Sequence, residues 1–237
     1  MRDDKNDSHH GDVNDRGVLY IATGKKYIEA SSESARSVKQ HCDLPTHLFC
    51  DDPDWAGASF DSVETIEHPH RRSKVDLLLQ SPFERTLFLD SDTRVVADIS
   101  GLFELLDRFD LALAHAHKRV KHADLFWRTR IPHSFPQLNT GVLLYRRSPP
   151  VDAFLDDWHR AFHEAGFPRD QITFRELLWL SDLRVFVLPP EYNVRFSKYL
   201  RTWTADEATP HILHFARFVQ PNRLARFLRR FRSSGIR

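Results

Sequence analysis

One short apolar run of the chain, Thr86-Leu87-Phe88-Leu89, leads straight into Asp90-Ser91-Asp92. In extended backbone, residues i and i+2 point to the same side, so two carboxylates converge on one point beyond the strand. Left alone they repel, which raises a pKa or recruits a cation. A hard divalent ion takes oxygen ligands and leaves positions open for phosphate oxygens. A strand-end Asp pair can also simply cap the next helix, and spacing alone does not separate the two readings. His214 closes another apolar run, Ile212-Leu213-His214-Phe215. A histidine there is a core residue or a ligand; as a ligand, its imidazole favours manganese over magnesium. His211 falls on the opposite face of the same run, so only one of the two reaches a shared point.

The elements that must position these groups read as an alternation. Strand-like runs are 18–22, 46–50, 63–66, 86–89, 111–114, 142–145, 185–188 and 212–215. Helical periods fall at 27–40, from Ser73 as N-cap through Leu79, from Asp98 or Ser100 as cap to Phe109, at 151–162 and at 171–179. Strands alternating with helices predict an α/β fold: a single Rossmann-like domain with a mostly parallel central sheet and helices on both faces. Ligands of such sheets bind beyond the carboxyl ends of the strands. The segment 115–136 fits neither period and is rich in His, Arg, Lys and aromatics, as expected of a flap over a site that contacts an acceptor.

The 237 residues suit one large α/β domain, and 41% hydrophobic with 28% charged residues suits a globular one. A formal net charge of +1 says nothing about a polyanionic partner, which only local charge can signal; no nucleic acid is expected. Cys42 and Cys50 are too few for a disulfide framework or a cysteine zinc site, and read as thiols of a reducing compartment. The polar stretch 1–16, including His9 and His10, reads as a disordered tail with no apolar leader segment. No apolar run is long enough to span a bilayer, so a cytoplasmic location is expected. Residues 223–237 form a basic tail, with apolar Leu224, Phe227, Leu228 and Phe231 at helical spacing between arginines. Such a helix docks on the domain or lies peripherally on an anionic inner membrane face.

Taken in order, Val18-Leu-Tyr-Ile-Ala-Thr23, Lys74, Leu87-Phe-Leu-Asp90-Ser-Asp92-Thr, Leu138-Asn139-Thr140-Gly141-Val-Leu-Leu-Tyr, Asp170-Gln171, Leu188-Pro-Pro-Glu-Tyr-Asn193 and His214-Phe215 resemble the glycogenin-like family 8 glycosyltransferases of GT-A fold, over 17–222. The resemblance implies a transferase moving a sugar, with retention at its anomeric carbon, from a nucleotide-diphosphate donor (most often a UDP-sugar) to an acceptor that the sequence does not identify. It implies that Asp90, Asp92 and His214 bind manganese (or magnesium) bridging the two donor phosphates. Thr23 and Tyr27 fall near the base, Asp51 or Asp52 near the nucleoside, and Ser91 and Lys74 in the donor site. Asn139 and Thr140 face the sugar, and Asp170 with Gln171 lie by the anomeric carbon. There, a carboxylate or carbonyl steadies an oxocarbenium-like sugar, or Asp170 forms a covalent intermediate.

Two departures stand out. Where the family has a glycine and then Lys-Pro-Trp after the metal histidine, this chain has Arg217 and Gln220-Pro221-Asn222. The family's phosphate-gripping lysine is thus missing, and Arg217 or Arg223 is the expected substitute. The alternative classes are a haloacid-dehalogenase-type phosphatase, which also ends a strand in Asp-x-Asp, and a non-catalytic RNA- or lipid-binding module using the arginine tail.

Overall fold

The structure, a computed structural model, describes residues 15–118 and 123–219. Most of the 1–16 tail and all of the 223–237 tail, with Arg223, lie outside the described residues. The chain opens with β1 (Arg16–Ala22), α1 (Lys25–His41), β2 (Thr46–Cys50) and β3 (Ser62–Thr65). A short α2 (Lys74–Leu77) precedes β4 (Arg85–Leu89), β5 (Thr93–Val95), β6 (Leu111–His115) and β7 (Leu138–Arg146). Then come α3 (Pro149–Ala165), α4 (Asp170–Leu180), β8 (Val185–Leu188), α5 (Tyr199–Thr202) and β9 (Ile212–His214).

Seven strands form one sheet in the order β3-β2-β1-β4-β7-β6-β8. Pairing is parallel except around β7, which runs antiparallel to both β4 and β6. Both faces are covered, and the period-2 alternation sorts side chains between them. Val18, Tyr20, Leu87, Leu89, Ala112, Val142 and Leu144 face a core completed by Ile28, Ala35 and Val38 of α1. Leu19, Phe88, Leu111, Leu113, Leu143 and Tyr145 face the opposite core, filled by Phe154, Leu155 and Trp158 of α3 and Phe174 and Leu178 of α4. The stretches 18–22, 87–89, 111–114 and 142–145, covered on both faces, are therefore apolar at every position, which is why these runs stand out in the sequence.

Several expectations change. β9 does not join the central sheet: it pairs antiparallel with β5, a three-residue strand that local pattern does not reveal, in a separate two-stranded sheet. The segment 100–107 is a 3-10 helix rather than an α-helix; its N-cap is Ile99 with no side-chain cap bond, and Asp98 only accepts the Ser100 N–H at 2.8 Å. Ser73 does not cap α2; its hydroxyl closes the preceding turn, accepting from the His70 N–H and donating to the His70 carbonyl, each at 2.8 Å. Both cysteines are free and buried, and burial pushes the Cys50 thiol up to about 11. Among the described residues no helix is long and apolar enough to cross a membrane.

The expected flap is irregular where described, yet it is held firmly by α4. Arg175 and Glu176 are both buried there. The Arg175 guanidinium donates to the carbonyls of Ala123, Pro132 and Phe135 at 2.8–3.0 Å. The Glu176 carboxylate accepts the N–H groups of Trp127, Arg128 and Thr129 at 2.5–2.8 Å. Neighbouring residues of one helix thus satisfy opposite polarities of the loop backbone, and α4 positions both the flap and Asp170.

Candidate active site

The apolar run of β4 carries the chain to the carboxyl edge of the sheet, where the Asp90 N–H donates to the Gly141 carbonyl of β7 at 2.8 Å. The chain then turns: Thr93 donates its hydroxyl to the Asp90 carbonyl at 2.8 Å and enters β5. Opposite it stands β9, with Thr93 in register with His214. That small sheet brings His214 to the two aspartates. Its Nε2 lies 2.9 Å from Asp92 Oδ1 and 3.7 Å from Asp90 Oδ2.

The orientation of the imidazole is fixed from behind. Asn139 Oδ1 accepts from the Gly141 N–H at 3.1 Å and from Asn193 Nδ2 at 3.0 Å. That leaves Asn193 Oδ1, which can only accept, 2.8 Å from His214 Nδ1. Nδ1 therefore carries a hydrogen, which leaves Nε2 as the ring atom that faces both carboxylates. An imidazole held from behind by an outer hydrogen bond, with its other nitrogen facing two carboxylates, is the usual arrangement of a metal-ligating histidine. These three residues offer ligand atoms within 4.8 Å of one another, so the donor set fits a divalent ion. Space is reserved for it as well. A Cβ added at Gly141 would meet Asp90 Oδ2 at 2.3 Å and His214 Cε1 at 2.5 Å.

A second group of charges sits beside the first. Asp170, buried at the start of α4, has Oδ1 3.3 Å from Arg72 Nη1 and Oδ2 3.2 Å from Lys74 Nζ. The Thr140 hydroxyl donates to Oδ2 at 2.7 Å. Lys74 Nζ also lies 3.5 Å from Asp90 Oδ1, which joins the two groups. Burial by itself raises the Asp170 carboxyl, but Lys74 and Arg72 outweigh it and hold it below the usual range. Burial likewise opposes the Lys74 charge, and Asp170 and Asp90 restore it. Asp92 follows the same pattern: burial raises it, and His214 and then Arg195 bring it well below the usual carboxylate range. Asp92 and Asp170 therefore stay ionised at neutral pH.

Two cavities meet at this charge cluster. One, of about 620 Å³, is lined by Thr23, Tyr27, Asp51 and Ser91; the other, of about 260 Å³, by Asn139, Asp170, Gln171 and Arg195. Arg72, Lys74, Asp90 and Asp92 belong to both walls. No family model and no curated sequence matches the chain. Solved structures do resemble it. The bifunctional glycosyltransferase WbbM aligns at TM-score 0.59 and 15% identity, over 86% of this chain and 46% of its own. Mouse xyloside xylosyltransferase 1 aligns at 0.55 and 16%, over 84% and 97%. Galactosyltransferase LgtC aligns at 0.54 and 12%, over 84% and 87%.

The fold is GT-A.

This chain thus spans under half the length of WbbM but most of the length of the other two. Within the GT-A fold the sequence-derived residues divide into three sets. Asp90, Asp92 and His214 come together, and so do Lys74, Asp170 and Gln171 around the smaller cavity. Thr140 is fully buried and reaches that cavity only through its bonds to Asp170 and Lys74. Asp51 binds the Gly24 N–H with both oxygens, at 2.8 and 3.0 Å, and so shapes the turn after β1. Ser91 accepts from Ser31 of α1 at 2.8 Å and locks the motif to that helix.

Sequence reasoning missed Arg72, Asn193 as the partner of His214, and Arg195. Arg195 Nη1 lies 3.7 Å from Asp92 Oδ2 and is, with Lys74, a cation beside the Asp90–Asp92–His214 group. Arg217, one expected substitute for the missing lysine, instead lays its guanidinium over the Phe215 ring at 4.3 Å.

Proposed function

We propose that the chain is a metal-dependent, retaining glycosyltransferase using a nucleotide-diphosphate sugar, with UDP as the preferred nucleotide. The observation that carries this reading is the Asp90–Asp92–His214 set, with Nε2 facing two carboxylates, placed where the two cavities join. GT-A neighbours include one solved with donor and acceptor sugar analogues. The family 8 resemblance supplies the retaining outcome and the uridine preference.

In this reading Thr23, Tyr27 and Asp51 line the nucleoside lobe, and Asn139, Asp170 and Gln171 line the sugar lobe. A divalent ion on Asp90, Asp92 and His214 supplies charge neutralisation for the departing diphosphate. Lys74, held between Asp90 and Asp170, adds a fixed positive charge where that negative charge develops. Arg195 takes the role of the family's absent lysine. Asp170 has both oxygens committed to cations. A carboxylate so paired is a poor nucleophile but a well-placed counter-charge, so Asp170 steadies the oxocarbenium-like sugar instead of bonding to it. The phosphatase alternative is not favoured by the fold.

The test is a panel of nucleotide sugars incubated with the full-length chain, with and without manganese. Slow hydrolysis to free sugar and nucleoside diphosphate is expected for a UDP-sugar in the presence of the metal. A chain that neither binds nor hydrolyses any nucleotide sugar, with or without metal, contradicts the proposal.

A further inference from the structure

Four side chains with no role in the proposed reaction converge on one another, and one of them, His70, also lines the larger cavity. His70 leaves the turn before α2, Asp76 stands on α2, and His159 and His163 stand one turn apart on α3. His163 Nε2 lies 2.8 Å from Asp76 Oδ1, and His159 Nδ1 lies 3.0 Å from the same oxygen. His70 Nε2 hydrogen-bonds the other oxygen, Oδ2. The rings of His70 and His159 each meet that of His163 edge-on, with centroids 5.7 and 4.8 Å away.

Hydrogen bonding alone is a frugal use of three imidazoles on one carboxylate. The same atoms form a different set once the nitrogens present lone pairs: three nitrogens and one oxygen. Zinc takes such donors in four-coordinate tetrahedral sites, at about 2.0–2.2 Å, which places ligand atoms roughly 3.3 Å apart. The observed spacings straddle that value: 2.8 and 3.0 Å for two pairs, and all within 4.8 Å for the His70, Asp76 and His163 atoms. His159 touches Asp76 but stands outside that 4.8 Å group, so its ring must swing toward the other two to complete the set. The side chains are 23–47% exposed, so an ion reaches them without any opening of the fold.

We propose that His70, Asp76, His159 and His163 form a zinc site distinct from the Asp90–Asp92–His214 set, with only His70 shared with the wall of the larger cavity. The ion pins the turn and α2 onto α3. Arg72 and Lys74 lie between His70 and Asp76 in sequence, so the pinned segment is the one that delivers both cations to Asp170. Zinc here is a structural buckle, and its presence does not depend on the transferase reading.

Cobalt, a spectroscopic substitute for zinc, tests it in the full-length chain. The Asp92→Ala background weakens the cleft's own metal set. In that background one cobalt ion per chain should bind with the visible absorption of a tetrahedral site and be displaced by zinc. Adding His159→Ala and His163→Ala should abolish the absorption and weaken zinc binding by at least about tenfold. His9 and His10 are present in both proteins, so any binding by them cancels. If the combined variant fails to fold, His163→Gln, a half-exposed position, replaces it with the same expectation of weakened zinc binding. Equal zinc affinity with and without the α3 histidines, or cobalt bound without tetrahedral absorption, overturns the proposal.

Discussion

Asp92→Ala should lower metal-dependent donor turnover by about a thousandfold while leaving the chain folded. The magnitude follows from losing a carboxylate ligand to an ion asked for several kcal/mol of charge stabilisation, at about 1.4 kcal/mol per factor of ten. Retained folding follows from where Asp92 sits. Its side chain stands at the rim of the sheet, bonded to His214 and near Arg195, and outside both hydrophobic cores. The variant leaves Nε2 of His214 facing Asp90 alone at 3.7 Å, too few ligands to hold the ion. Circular dichroism and donor hydrolysis measured on the same preparation check both halves. A folded variant that hydrolyses donor at the normal rate contradicts the metal assignment.

Gly141→Ala should abolish manganese binding at the Asp90–Asp92–His214 set without replacing a ligand. The added Cβ would fall 2.3 Å from Asp90 Oδ2, 2.8 Å from Asp90 Cγ and 2.5 Å from His214 Cε1. None of these atoms is the free end of a flexible chain: the carboxylate is tied to Lys74 and the imidazole to Asn193. The ligands must therefore part, and manganese affinity should fall as far as it does on losing a ligand outright. Overpacking should also cost about 1–3 kcal/mol in stability. Gly101→Ala is the control, because a Cβ there meets nothing within 4 Å. Unchanged manganese binding by Gly141→Ala would show that the ion sits elsewhere.

The parts of this site carried by local pattern were legible in the sequence. A strand buried on both faces is apolar throughout, so Leu87-Phe88-Leu89 marks β4, and the abrupt Asp90-Ser91-Asp92 marks its mouth. What brings His214 there was not legible, since it is the pairing of β5 with β9 across more than a hundred residues, and β5 offers only Thr93-Arg94-Val95 as a local signal. The reversed direction of β7 was hidden for a related reason: a buried strand shows the same apolar run whichever way it points. Residues 100–107 bury Leu102, Phe103 and Leu106, a spacing that fits three residues per turn as well as 3.6 over so short a span. Arg72, Asn193 and Arg195 take their meaning from partners 21 to 103 positions away, where no periodicity applies.

The central claim is that Asp90, Asp92 and His214 hold a cation shared with a nucleoside diphosphate. Electron paramagnetic resonance of manganese, titrated into the full-length chain with and without UDP, measures that sharing. UDP should tighten manganese binding, manganese should tighten UDP binding by the same factor, and both effects should vanish in Asp92→Ala. Manganese affinity that ignores UDP, or coupling that survives the loss of Asp92, would contradict the account.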